Sequence, residues 1–251
     1  MVARGRPSEP RRRLPAIVRW GAAAVAAAAA AYGGYVGMAW MRYGSPLAPR
    51  PDEADPLLDE FLPAPEVAER HSVRVAAPAA VTLAAACELD LFGMPAVRAL
   101  FRTRATILGA RSEPQPRVRG LIASARSIGW VVLAEIPGRE VVVGAVTRPW
   151  EADATFRSIE PGRFAEFSEP DYVKIAWTLR ADPIDAAHSV FRTETRVVAT
   201  DATARRKFRR YWSLLSPGII MIRWVTLNPV RREAERRAAI HGPSSDSLES
   251  V

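Results

Sequence analysis

The chain has few of the side chains from which metal centres and nucleophilic catalysts are built. Its one cysteine, Cys87, excludes an intrachain disulfide. Cys87 follows Ala84, Ala85 and Ala86 in an apolar helical pattern, where a thiol behaves as a small hydrophobe. There are three histidines, His71, His188 and His241, and no His, Cys, Asp or Glu grouping has metal-ligand spacing. No GxSxG, P-loop or dinucleotide-binding glycine pattern occurs. The sequence therefore predicts no metal and no cofactor. Lysine is nearly absent as well: Lys174 and Lys207 are the only two, so arginine supplies almost all the positive charge behind the net +8.

The position of the charges says more than their sum. Arg4, Arg6, Arg11, Arg12, Arg13 and Arg19 precede a stretch from Trp20 to Met41 that has no charge at all. As a helix, those residues extend about 33 Å, enough for a hydrocarbon core of about 30 Å. Trp20 lies at one edge, and Tyr35, Trp40 and Tyr43 lie toward the other, where aromatic rings favour the headgroup region. The expectation is a single-pass cell-membrane anchor with its basic end in the cytoplasm and the remainder extracytoplasmic. A cleaved signal and a soluble alanine-rich helix are the competing readings.

Residues 42–69 carry six prolines and seven acids and are predicted to form a solvated stalk. Five segments follow: a basic arm at 1–19, a transmembrane helix at 20–41, this linker at 42–69, a globular domain at 70–240 and a disordered tail at 241–251.

Within the domain, His71–Ala77 alternates as a strand and Pro78 opens a helix. A short helix is expected from Pro95 to Phe101, a loop around Pro114 and Pro116, and a helix near Leu121–Ser127. Trp130–Ile136 and Glu140–Thr147 flank Pro137-Gly138 as a hairpin. Arg163–Phe167 reads as a short edge strand. Tyr172–Arg180 alternates most clearly, with Val173, Ile175, Trp177 and Leu179 on one face. Val190–Ala199 is the last strand, and His188 falls in the loop before it. A helix capped by Thr200 or Asp201 follows, with the apolar stripe Phe208, Trp212, Leu215, Ile219 and Ile222. Pro217-Gly218 predicts a kink or a break into two helices, and Asn228-Pro229 another break. Grouped strands and segregated helices make this an α+β domain, an antiparallel sheet wrapped around a long C-terminal helix, with room for a cavity between them.

That order resembles the START-like helix-grip superfamily, SRPBCC, which includes polyketide cyclase/dehydratase-like proteins. The segments VRVAAPAAVTLAAACELDL, GWVVLAEIPGREVVVGAVTRPW and TETRVVATDATARRKFRRYWSLLSPGIIMIRWVTL carry the resemblance. It covers residues 70 to 237 and implies a pocket for a hydrophobic ligand, with no shared catalytic residues to carry over.

Trp150 and Trp177 are candidate walls of such a cavity, with core packing as the alternative. Glu194 and Arg196 share one face of the last strand and are candidates to orient a polar ligand group or move a proton. The alternatives are a cross-strand charge pairing, and an inward face made instead of Phe191, Thr193, Thr195 and Val197. The basic run Arg205 to Arg210 suits anionic lipid or a solvated face; no nucleic-acid motif accompanies it. The expected partner is a hydrophobic small molecule or lipid, bound by a membrane-tethered carrier or, alternatively, by a cyclase/dehydratase-like enzyme or a ligand-free interaction domain. Oligomeric state is left open.

Overall fold

A computed structural model describes residues 16–111 and 118–240. The arginines before Arg19, Pro114 and Pro116, and the tail from His241 lie outside the described residues.

Six strands form one antiparallel sheet: β1 (Val67–Val75), β2 (Val131–Ile136), β3 (Glu140–Thr147), β4 (Phe156–Arg157), β5 (Val173–Pro183) and β6 (Ser189–Ala199). Their order is β1-β6-β5-β3-β2, with β4 paired to β3. Pro137 and Gly138, the latter at φ +70°, turn β2 into β3, and the Arg139 N–H closes the turn on the Ile136 carbonyl at 3.0 Å. A proline followed by a glycine of positive φ is the type II turn pattern. The expected strand at Arg163–Phe167 is absent. Pro161 instead starts the short helix α6 (Pro161–Phe164), where its missing N–H costs nothing, and the extra strand forms earlier, at β4.

One face of the sheet packs on helices: α3 (Ala79–Cys87), α5 (Leu121–Ser127) and the last helix, α7 (Ala202–Ile240). The helix α4 (Pro95–Leu108) lies against α7, and is longer than the sequence suggested. The Asp201 side chain caps α7 by accepting from the Ala204 N–H at 2.7 Å. The breaks expected at the two prolines do not occur: α7 runs for 39 residues through both Pro217 and Pro229. Each proline removes one backbone hydrogen bond. Buried Phe208 and Trp212 before the first proline, with Leu227, Val230 and Ala234 around and beyond the second, anchor the flanking turns to the core.

The opposite face of the sheet is covered by the segment expected to be a stalk. Residues 51–66, with the short helix α2 (Pro56–Asp59), lie across it. Leu58 is 0% exposed and Leu62 1%, packed with Phe61, Phe164, Val142, Val146 and Ala176. Burying each leucine contributes about 2 kcal/mol, which outweighs the extended tendency of the surrounding prolines. Two ion pairs and a hydrogen bond reinforce the contact: Arg192 reaches Asp52 at 3.0 Å, Arg196 reaches Asp59, and Arg180 donates to the Ala54 carbonyl at 2.7 Å.

The first helix, α1 (Ala16–Arg42), is the one described helix long and apolar enough to cross a membrane, over Val18–Arg42. Its C-terminal part touches α7. The Tyr35 hydroxyl meets the Ser216 hydroxyl at 2.9 Å, Tyr32 donates to the Leu214 carbonyl, and Arg209 donates to the Trp40 carbonyl at 2.7 Å with its guanidinium 4.2 Å from the Trp40 ring. Much of the basic run is thus engaged: Arg205 with Glu66 at 2.7 Å, Lys207 with Asp171 at 2.7 Å, and Arg209 with α1.

Candidate ligand cavity

Between the sheet and α7 lies a cavity of about 1160 Å³. Alternation along the strands builds one wall: Ile175, Trp177 and Leu179 from β5 stand beside Val197, Thr195 and Thr193 from β6 in register. The helical period builds the other, since Phe208, Trp212, Leu215, Ile219 and Ile222 all line the space. The stripe expected from the sequence is therefore the cavity's roof. Leu100, Phe101 and Ile107 of α4 close one side. Trp130 and Phe156, with ring centroids 4.8 Å apart, close one end, and Trp130 meets Trp177 edge-on at 5.9 Å. Gly129 allows this corner: it has φ +103°, and a Cβ there would stand 2.1 Å from the Phe156 carbonyl oxygen.

The mouth faces α1. Tyr32 of α1 lines the cavity together with Leu214 and Met221 of α7 and Ile107 of α4. All four are exposed, at 47%, 50%, 45% and 61% respectively.

Charged side chains gather at the rim, where Asp90, Arg98, Arg102, Arg119 and Asp153 are exposed, and few reach the apolar interior. Arg104 donates to the Tyr211 hydroxyl at 3.3 Å and to the Pro149 carbonyl at 3.0 Å, tying α4 to α7 and to the loop after β3. Asp90 and Asp153 at the edge accept backbone N–H groups of Gly93 and Arg111. The exception is Arg223 of α7. Its Nη2 donates to the Thr195 hydroxyl at 2.6 Å, its Nη1 to the Thr193 hydroxyl at 3.3 Å, and its guanidinium lies 5.6 Å from the Trp177 ring centroid. Burial alone draws its pKa down to about 10, so it stays charged at neutral pH. Burial and the Arg223 charge together lower the pKa of His71, which stands opposite Thr193 on β1.

The four residues singled out from the sequence separate. Trp177 is a cavity wall. Trp150 is not among the lining residues; it packs near Phe208 with the Lys207 ammonium 5.6 Å from its ring, although Pro149 and Ala152 beside it do line the space. Glu194 and Arg196 are on the far face of β6, turned away from the cavity. Arg196 Nε donates to Glu194 at 2.7 Å, Arg70 pairs with Glu194 at 2.9 Å, and Arg196 also donates to the Leu62 carbonyl at 2.9 Å. They form the charge pairing weighed as the alternative, and Phe191, Thr193, Thr195 and Val197 are the inward set. Arg223 was missed. Its signal was present in the sequence: it lies four residues after Ile219 and three before Thr226, a charge set into the apolar stripe. Among the described residues no group of His, Cys, Asp and Glu is placed to hold a metal ion.

No family model matches the chain, and no curated protein does. Among solved structures, the ZhuI aromatase/cyclase from Streptomyces sp. R1128 is similar over 71% of this chain and 99% of its own, with 18% identity and a TM-score of 0.29. The di-domain aromatase/cyclase BexL of the BE-7585A biosynthetic pathway matches 70% of this chain at 14% identity and a TM-score of 0.25, over 48% of its own length. The carbazole-bound oxygenase of carbazole 1,9a-dioxygenase matches 79% at 9% identity and a TM-score of 0.32, over 53% of its length. Likeness at this level does not transfer those proteins' activities to this chain. An α+β domain with an antiparallel sheet packed against a long C-terminal helix, preceded by one apolar helix, is what the structure itself establishes.

Proposed function

We propose that this chain is a membrane-tethered domain of the START-like helix-grip type. Its cavity holds a hydrophobic or amphiphilic small molecule, such as a lipid, and exchanges it with the bilayer that carries α1. The supporting observation is a cavity of about 1160 Å³, walled by apolar side chains, whose mouth is framed by the span-length helix. Sites of this size with few convergent polar groups suit small apolar ligands. Exposed Leu214 and Met221 beside Tyr32 give the cavity an apolar rim on the side of the span-length helix. The excess of arginine before residue 20 then favours a cytoplasmic N-terminus, with the sheet domain on the other side.

The test is native mass spectrometry of the full chain released from mild detergent. A one-to-one adduct of lipid mass, present on isolation or after addition of oleic acid, is the expected result. A bare chain under both conditions overturns the reading.

A second reading, a polyketide cyclase/dehydratase-like reaction in the same space, draws on one observation. Arg223 presents a guanidinium beside two threonine hydroxyls inside apolar walls, an arrangement suited to stabilising the oxyanion of an enolate. It ranks second because the acids at the cavity's edge, Asp90 and Asp153, are occupied with backbone N–H groups. Cyclised product from a linear poly-β-ketothioester, formed by the wild-type chain but not by Arg223→Gln, would move it to first place.

A further inference from the structure

The arginines packed on the two faces of the sheet fall into two groups. On the face of the sheet away from the cavity, each has a carboxylate: Arg196 has Glu194 and Asp59, Arg180 has Asp182, and Arg192 has Asp182 and Asp52. On the cavity side, half-buried Arg223 has no ion-pair partner among the described residues; Arg104 has none either, but its guanidinium is taken up by the Tyr211 hydroxyl and the Pro149 and Glu151 carbonyls. The contacts of Arg223 are two neutral hydroxyls and an indole face. Glu69 stands opposite Thr195 on β1 and is not ion-paired to Arg223. Burial pushes the Glu69 carboxyl up from its ordinary value, which weakens it further as a counter-ion.

An unpaired cation in an apolar enclosure is costly, and folded proteins ordinarily supply a partner. A guanidinium has five N–H donors in a planar fork suited to two oxygens of one anion. The two threonines take two of them, leaving three, and both threonines are themselves cavity walls.

We propose that the anion missing from Arg223 is the ligand's own: the cavity takes an amphiphile with an oxyanion head on a long apolar tail. The head sits on the Arg223 guanidinium between Thr193 and Thr195, and the tail runs along the roof of α7 toward the mouth beside Tyr32. A fatty acid carboxylate and a lipid phosphate monoester share this chemistry. The inference rests on the cavity being a ligand site and adds what the ligand must carry.

The test uses the full chain in mild detergent with three probes of equal tail length: palmitic acid, hexadecyl phosphate and hexadecanol. Affinities are measured by quenching of the tryptophans that line the cavity, with native mass spectrometry as a count of bound molecules. At least one of the two anions should bind ten-fold or more tightly than the alcohol. Whichever anion is preferred identifies carboxylate or phosphate as the head. In Arg223→Gln the preference should fall to less than three-fold, with most of the loss in the affinity of the anions. Thr195→Val, which leaves the charge in place, should keep most of the preference. Arg223→Met should raise the melting temperature of the ligand-free chain, because it removes an uncompensated charge; a purely structural arginine would lower it. Hexadecanol binding as tightly as both anions, or a preference that survives Arg223→Gln, overturns the inference while leaving the cavity as a ligand site. Binding of none of the three probes overturns the cavity reading, and this inference with it.

Discussion

Glu140 at the start of β3 lies beside Asp55, the residue that caps α2, and both are nearly inaccessible, at 3% and 2% exposed. Two neighbouring buried carboxyl groups disfavour double ionisation. Burial first, and then the Asp55 charge, push the Glu140 pKa well above its ordinary value; the Thr178 hydroxyl, donating at 2.9 Å, and Arg180 oppose the shift without cancelling it. The folded chain therefore holds this proton more tightly than the unfolded one does. Its contribution to stability is complete below pH 4.5, the unfolded value, and is lost as pH rises through the raised folded value. Thermal unfolding between pH 4 and pH 9 should show the melting temperature falling across that window. Glu140→Gln, which keeps an acceptor for Thr178 and offers a permanent donor to Asp55, should flatten the fall and raise stability at pH 8.

Leu58 fastens residues 51–66 to the sheet. It is fully buried against a tightly filled cluster that includes Phe61 and Phe164. Leu58→Ala should cost about 3 kcal/mol, measured by chemical denaturation. A chain begun at residue 69 should be less stable still, since it uncovers Val142, Val146 and Ala176 and strips Asp59 from Arg196.

Arg196→Ala should separate stability from binding. It removes a buried cation from Glu194 and releases the Leu62 carbonyl. A loss of about 3 kcal/mol is expected, limited by Arg70, which still pairs with Glu194. Ligand affinity, measured well below the melting temperature, should stay within two-fold, because neither Glu194 nor Arg196 lines the cavity. A ten-fold drop in affinity would contradict the assignment of the two faces.

Cys87 should be inert in the folded chain. Burial, with help from Glu135 and Glu88, pushes its thiol up to about 11. At pH 8 a maleimide or aromatic disulfide reagent should label it many-fold more slowly than after denaturation. Rapid native labelling would count against the packing of α3.

Much of this arrangement was legible locally. The alternation Val173, Ile175, Trp177 and Leu179 placed one face of β5, and the 208, 212, 215, 219 and 222 spacing placed the face of α7 that meets it. The last strand was not legible in the same way. Both of its faces are largely buried, because residues 51–66 cover the side that would otherwise face water, so alternation offered no contrast between Glu194 and Thr195. Those covering residues were themselves hidden, with Leu58, Phe61 and Leu62 scattered among prolines and acids that read as a solvated stalk.

The sequence by itself determined the periodic features: a charge-free helix of spanning length, alternating strands, and an apolar stripe on the last helix. These depend on neighbours within a few residues, which the chain order states directly. Only the tertiary structure decided which face of β6 meets the cavity, that α7 continues through its prolines, and that Arg223 stands without a carboxylate while Arg196 has two. Each of those depends on groups brought together from distant parts of the chain. Arg196 finds Asp59 from 137 residues away, and Arg223 finds its two threonines about 30 residues upstream across the fold. A charge's partner is set by packing, and packing is a property of the whole chain.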